Sequence, residues 1–217
     1  MAPIVPKPRS SSDAAGSRAA AGPSDAALAR RYERELGWPT AGQAPLRLLT
    51  GVRFDVLALP AEAGHAVLRR GVRTGPVLLS GPRTGFLVAA GGAEELPGLL
   101  DWLEWGPVDL DLTALGAGGG VTAPPFPDAP LRPGAPESRG GPGDSPGAAV
   151  WLRPPEPRHT PEPELPALAR FGSSGGDAPD LVRLVDAVAA ECHRVRLSRA
   201  RAGLLTRGAA DQPLAFS

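Results

Sequence analysis

The chain of 217 residues has room for one domain with tails, and its 28 glycines and 27 prolines, about a quarter of the total, come close to the level at which low-complexity sequence is expected. Their uneven spread predicts packed sequence interrupted by disordered stretches. The 23 basic residues balance the 23 acidic ones, which excludes the strongly basic footprint of a non-specific nucleic-acid binder while leaving room for a local basic groove.

Residues 1–24 mix Pro, Ser, Ala and Gly without periodicity and read as a disordered tail. They contain no continuous apolar run of the signal-peptide kind, and nothing in the chain resembles a membrane span, so a cytoplasmic protein without membrane contact is expected. Ser24 or Asp25 is placed to cap a helix whose Leu28, Tyr32 and Leu36 share one face; Gly37 ends it and Trp38-Pro39 leads out. Leu46–Leu49 and Phe54–Leu59 read as two short strands with Thr50-Gly51 as the turn between them. Pro60 stops the second, and Ala61–Arg70 follows as a helix with Ala63, Ala66 and Val67 inward.

Pro76–Leu79 and Phe86–Ala89 form a predicted hairpin around Ser80-Gly81-Pro82-Arg83. Ala93–Trp105 is a helix with Leu96, Leu99, Leu100 and Leu103 as its buried stripe. Val108–Thr113 and Gly120–Ala123 read as another strand pair, separated by the glycine run Gly116–Gly120. That run lacks the Lys-Ser/Thr of a phosphate-binding loop, so a plain turn is favoured over a phosphate cradle. Residues 126–147 are too rich in Pro, Gly and Asp to pack and read as a flexible loop within a domain spanning 25–155. After a strand at Ala148–Leu152 comes a Pro-rich linker, 156–178, then a helix over 179–201, then a tail, 202–217. Leu181, Leu184, Val185, Val188, Cys192 and Val195 line one face of that helix.

Cys192 is the single cysteine, which excludes an internal disulfide and a cysteine-rich zinc site; its place on the apolar stripe makes it a core thiol. His65, His159 and His193 stand in no metal-ligand spacing and read as surface residues. One lysine, one isoleucine and no asparagine point to a very G+C-rich genome, so part of the arginine content is codon bias. The cluster Arg194, Arg196, Arg199 and Arg201 reads either as a nucleic-acid contact or as cations placed at a helix C-terminus by its dipole, the second being favoured.

Four segments follow one another in order: YERELGWP (Tyr32–Pro39), LTGVRFDVLALPAEAG (Leu49–Gly64), GPVLLSGPRTGFLVAAG (Gly75–Gly91) and LDLTALGAGGGVTAPP (Leu110–Pro125), with Trp151 closing the last strand pair. Taken together they resemble the N-terminal domain of bifunctional DNA primase/polymerases in the divergent form common in actinobacteria. The resemblance implies an α+β fold, a two-layer mixed or antiparallel sheet with helices on one face around an RRM-like core. It implies nucleotidyl transfer in active members, where carboxylates on neighbouring strands hold Mg²⁺ or Mn²⁺ against a triphosphate. In this chain Asp55 fits the first carboxylate and Asp111, or Asp109 beside it, the later one. The second carboxylate falls at Leu57 or Ala58 and the family's histidine near Thr84, so the set is incomplete.

Asp55 therefore reads either as a residual metal ligand or as a strand-end acid hydrogen-bonding a turn, the latter favoured for want of a partner carboxylate. Asp109 and Asp111 share a strand face, which a solvated edge explains equally well. The expectation is a degenerate domain without full nucleotidyltransferase activity, weak Mg or Mn binding at most, and no other cofactor. Nucleotide or DNA is one expected partner. The alternative is a non-enzymatic regulator or scaffold meeting a protein partner through the C-terminal helix or the Pro-rich segments.

Overall fold

The computed structural model describes residues 23–42, 45–126, 148–155, 165–168 and 179–210. The expected tail 1–24, loop 126–147, linker 156–178 and tail 202–217 lie largely outside the described residues. The protein is α+β, with four helices and two antiparallel sheets.

Helix α1 (Pro23–Leu36) leads to a short strand β1 (Thr40–Ala41) and then β2 (Arg47–Leu49). The central unit is β3 (Phe54–Pro60), α2 (Ala61–Arg69), β4 (Val77–Ser80), β5 (Arg83–Ala89), α3 (Gly92–Trp102) and β6 (Thr113–Leu115). Strands β7 (Gly120–Thr122) and β8 (Ala149–Arg153) follow, and α4 (Leu181–Ala210) closes the fold. The five-stranded sheet has the order β6-β3-β5-β4-β8 and the three-stranded sheet the order β1-β2-β7. The unit from β3 to β6 thus has the β-α-β-β-α-β connection with its strands ordered fourth, first, third, second, the arrangement of an RRM-like core.

Strand alternation sorts the sheet's side chains into two cores. On one face Leu57, Leu59, Val77, Phe86 and Val88 pack under α2, α3 and α4, which contribute Ala63, Val67, Leu96 and the whole Leu181–Val195 stripe. On the other face Phe54, Val56, Leu78 and Leu87 meet α1 and the small sheet through Tyr32, Trp38, Leu46, Leu48 and Phe126. The expected helix cover on a single face is therefore corrected: a second layer, built from α1 and the three-stranded sheet, closes the opposite side. Its centre is aromatic. Trp38 packs on Phe54 at 4.7 Å and Tyr32 on Phe126 at 5.1 Å between ring centroids. Trp151 donates its indole N–H to the Tyr32 hydroxyl (3.0 Å), which in turn donates to the carbonyl of Pro124 (2.8 Å).

Thr50-Gly51 is not a hairpin turn. β2 pairs with β7 (Leu49 opposite Gly120), while β3 pairs with β6 (Val56 opposite Leu115). One long antiparallel ribbon so passes from the small sheet into the large one, bent at 50–53 and 116–119. The bend is tight: Thr50 donates its hydroxyl to the carbonyl of Gly116 (2.6 Å), and a Cβ on Gly51 (φ +86°) would lie 2.9 Å from that of Ala117. The glycine run serves this close crossing. Strand β6 also begins later than expected, at Thr113 rather than Val108, and α4 extends past Arg201 to Ala210. Ala167 bridges Asp180, and Leu165 joins the second core, so residues 165–168 of the expected linker lie on the domain.

Candidate functional site

Asp55 enters on β3 on the same face as Leu57 and Leu59, beneath the helices. It is 1 % exposed. Its Oδ2 accepts hydrogen bonds from the backbone N–H of Gly91 (2.8 Å) and of Ala93 (3.0 Å) at the start of α3. The first N–H groups of a helix have no partner within it and carry the positive end of its dipole, so a carboxylate there is stabilising. Gly91, at φ +92°, has no side chain to cap with, and Asp55 caps the helix from across the sheet. Its second oxygen, Oδ1, is buried with no hydrogen-bond partner among the described residues.

Asp111 lies at the other end of the ladder. The β3–β6 ladder runs from Val56 opposite Leu115 to Ala58 opposite Thr113; Asp55 lies just before its first pair, and Asp111 lies past its last, beside Arg83, which donates to the carbonyl of Ala58. The two carboxylates do not converge. Asp111 is 51 % exposed and pairs with Arg83 and with Arg199 (3.9 Å). Asp109 receives Arg196, whose guanidinium donates to the Asp109 carbonyl at 2.6 Å. These arginines belong to β5 and α4, so the acids bind the middle of α4 to the sheet edge. Arg199 also reaches Glu62 (3.9 Å), and buried Glu191 on α4 takes both Arg70 (2.8 Å) and Arg194 (2.5 Å). The favoured reading of the arginine cluster needs adjustment: three of its members are ion-paired to the domain.

The residues do not fit a two-metal or single-metal nucleotidyl-transfer site. A divalent ion needs several oxygen ligands. Around Asp55 one carboxylate oxygen is taken by two amides, and the neighbouring Gly116 carbonyl already accepts from Thr50 and Gly119. Leu57 is core. Thr84, where the family's histidine falls, is fully buried beneath Gly64 of α2; a Cβ on Gly64 would lie 2.7 Å from the Thr84 methyl. No imidazole fits in that space. On the opposite sheet face β3 and β5 present Phe54, Val56, Ala58, Gly85 and Leu87, none of them an oxygen donor. Among the described residues no group of three or more His, Cys, Asp or Glu is placed to hold a metal ion.

The RRM-like nucleic-acid surface is the helix-free sheet face, where exposed aromatics stack on bases. Here that face is covered, and Tyr32, Trp38 and Trp151 are turned into the core. Sequence reasoning placed Asp55 correctly on a strand but missed Gly64, Glu62, Arg83 and Glu191; a glycine within a helical pattern was the one available signal, for Gly64.

Cys192 is buried against the sheet, its Sγ 3.9 Å from the carbonyl of Asp111. Burial pushes its thiol up to about 12, with the charge of Asp111 adding to the effect. The folded protein therefore keeps a proton that the unfolded chain releases above about pH 9. Stability is complete below that pH and falls as pH rises toward about 12, by roughly 1.4 kcal/mol per unit where only the unfolded state is ionised. Burial also raises the Tyr32 hydroxyl, which steepens the loss above roughly pH 10. Urea midpoints at pH 8 and pH 10 should show this decline, smaller in Cys192→Ala, and Ellman's reagent should label Cys192 only on unfolding. Rapid labelling of the native protein is the contrary result.

No helix among the described residues is long and apolar enough to cross a membrane. Comparison with protein-family models, with curated proteins and with solved structures gives no match for this chain.

Proposed function

We propose that the chain is a primase/polymerase-like domain that has lost nucleotidyl transfer and works as a non-enzymatic scaffold or regulator through a protein partner. The observation that carries the reading is the state of Asp55. The carboxylate that would begin a metal site is buried in the helix layer, with one oxygen accepting the N–H groups of Gly91, the N-cap of α3, and of Ala93 in its first turn. A group fixed in this way supports the fold and has no face toward a nucleotide. The ion pairs of Asp109 and Asp111 with α4 agree with it, as does the aromatic layer over the sheet face that RRM-like domains use for bases. A cytoplasmic setting belongs to the same proposal and suits a lone, unoxidised core cysteine.

The test is primer extension by the full chain with Mn²⁺ or Mg²⁺ and dNTPs, alongside titration calorimetry of the same mixtures. No incorporation above a mock purification is expected, and no heat that depends on Asp55. Incorporation by the wild type that Asp55→Asn abolishes, at unchanged thermal stability, overturns the proposal and restores the enzyme.

A further inference from the structure

The partner-binding reading leaves open which surface is used, and one helix face answers it. Trp102, in the last turn of α3, is 71 % exposed, whereas Trp38 is buried and the indole N–H groups of Trp105 and Trp151 are hydrogen-bonded within the fold. One turn earlier on the same face stands Gly98, with Pro97 beside it further round the helix, both exposed; a Cβ added to Gly98 would meet nothing within 4 Å. The indole is thus flanked by an open ledge. Proline and glycine inside a helix are disfavoured relative to alanine by about 3 and about 1 kcal/mol. A local rule broken on a solvent face, where packing cannot require it, is expected at a functional surface. Just beyond, Glu104 is the only non-glycine residue at positive φ (+63°) among the described residues, a second unfavourable local choice in the same patch.

Charge selects the occupant. From Gly92 to Leu112 the sequence holds six carboxylates and no lysine or arginine. Asp109 and Asp111 are paired with arginines of α4 and β5, while Glu94, Glu95, Asp101 and Glu104 are exposed and form no ion pair among the described residues. A polyanion such as DNA is repelled here. We infer that the exposed face of α3 around Trp102 docks an arginine-bearing segment of a protein partner. The guanidinium lies flat on the indole over the Gly98 ledge, and its N–H groups reach the carboxylates of Glu95 and Asp101. Arginine suits the role better than lysine, because its planar group stacks and donates in the plane at once.

This inference rests on the partner-binding reading, but its failure would leave the primer-extension result untouched. The probe is a fluorescein-labelled octapeptide of alternating glycine and arginine, titrated with the full chain by anisotropy, with a glycine–glutamate octapeptide as control. Saturable binding of the arginine peptide alone is expected. Trp102→Ala should weaken it about tenfold, between the size of an exposed and of a desolvated cation–π contact, with an unchanged melting temperature. Glu95→Gln should weaken it less and remove part of its salt dependence. Equal binding by Trp102→Ala, or no saturation at millimolar protein, overturns the site. Sedimentation velocity supplies the other arm: a dimer that Trp102→Ala dissolves replaces the partner with a second copy of this chain and overturns the inference.

Discussion

Asp55→Ala should cost the domain roughly 2–4 kcal/mol, the sum expected from losing a helix cap and leaving two half-buried amides without an acceptor. The Gly91 and Ala93 N–H groups that Oδ2 now accepts from are half-buried and point at a carboxylate that is itself buried, so water replaces it poorly. Asp55→Asn keeps a carbonyl acceptor in place, loses the charge at the positive end of α3, and should cost about 1 kcal/mol. Urea denaturation of the three proteins measures the series. The outcome discriminates sharply between roles, because a carboxylate kept for metal binding is usually a burden on stability and its removal leaves the fold unchanged or firmer. A change below about 0.5 kcal/mol in Asp55→Ala, within the range of ordinary surface substitutions, would contradict the capping role.

The second large effect is expected where α2 crosses β5. Gly64 sits so close over Thr84 that any added methyl overlaps it, and both partners are buried. Gly64→Ala should therefore cost roughly 2–3 kcal/mol through overpacking, although alanine is the better helix former. Gly98→Ala is the matched control: it lies in a helix too, but in open space, and should stabilise by about 1 kcal/mol. Combining Gly64→Ala with Thr84→Gly relieves the overlap, and the pair should cost at least about 1 kcal/mol less than the sum of its single changes. Additive losses in that double-mutant cycle would mean that the two residues do not meet.

The same two residues mark the boundary of what could be read from the chain. Helices were legible where apolar spacing ran at 3.6 residues per turn: the stripe from Leu181 to Val195 is buried almost throughout, and Leu96 with Leu99, Leu100 and Leu103 faces the core. Strand cores were legible as short apolar runs. Pairing was not, because turn chemistry is local while ladders are not. Thr50-Gly51 has the composition of a reversal, yet Leu49 pairs with Gly120, some seventy residues away. The interval before Thr113 alternates like a strand, but Asp109 and Asp111 there bind arginines of other elements and form no ladder. For Asp55 the period of two put its side chain with Leu57 and Leu59. Only the fold shows that this face lies beneath helices and that the N-terminus of α3 ends above it.

The order of elements along the chain also bears on biosynthesis. α4 supplies Leu181, Leu184, Val185, Val188, Cys192 and Val195 to the helix-side core, and it is the last described element to leave the ribosome. At ~5–20 residues per second, the interval between Leu115, the end of the β-α-β-β-α-β unit, and Ala210 is roughly 5–20 s. Throughout it, the core that Leu57, Leu59, Phe86 and Val88 share with α2 and α3 lacks the α4 stripe. The nascent chain thus carries apolar side chains of α2 and α3 that wait for α4 to dock, and holding chaperones have their opportunity there rather than after release.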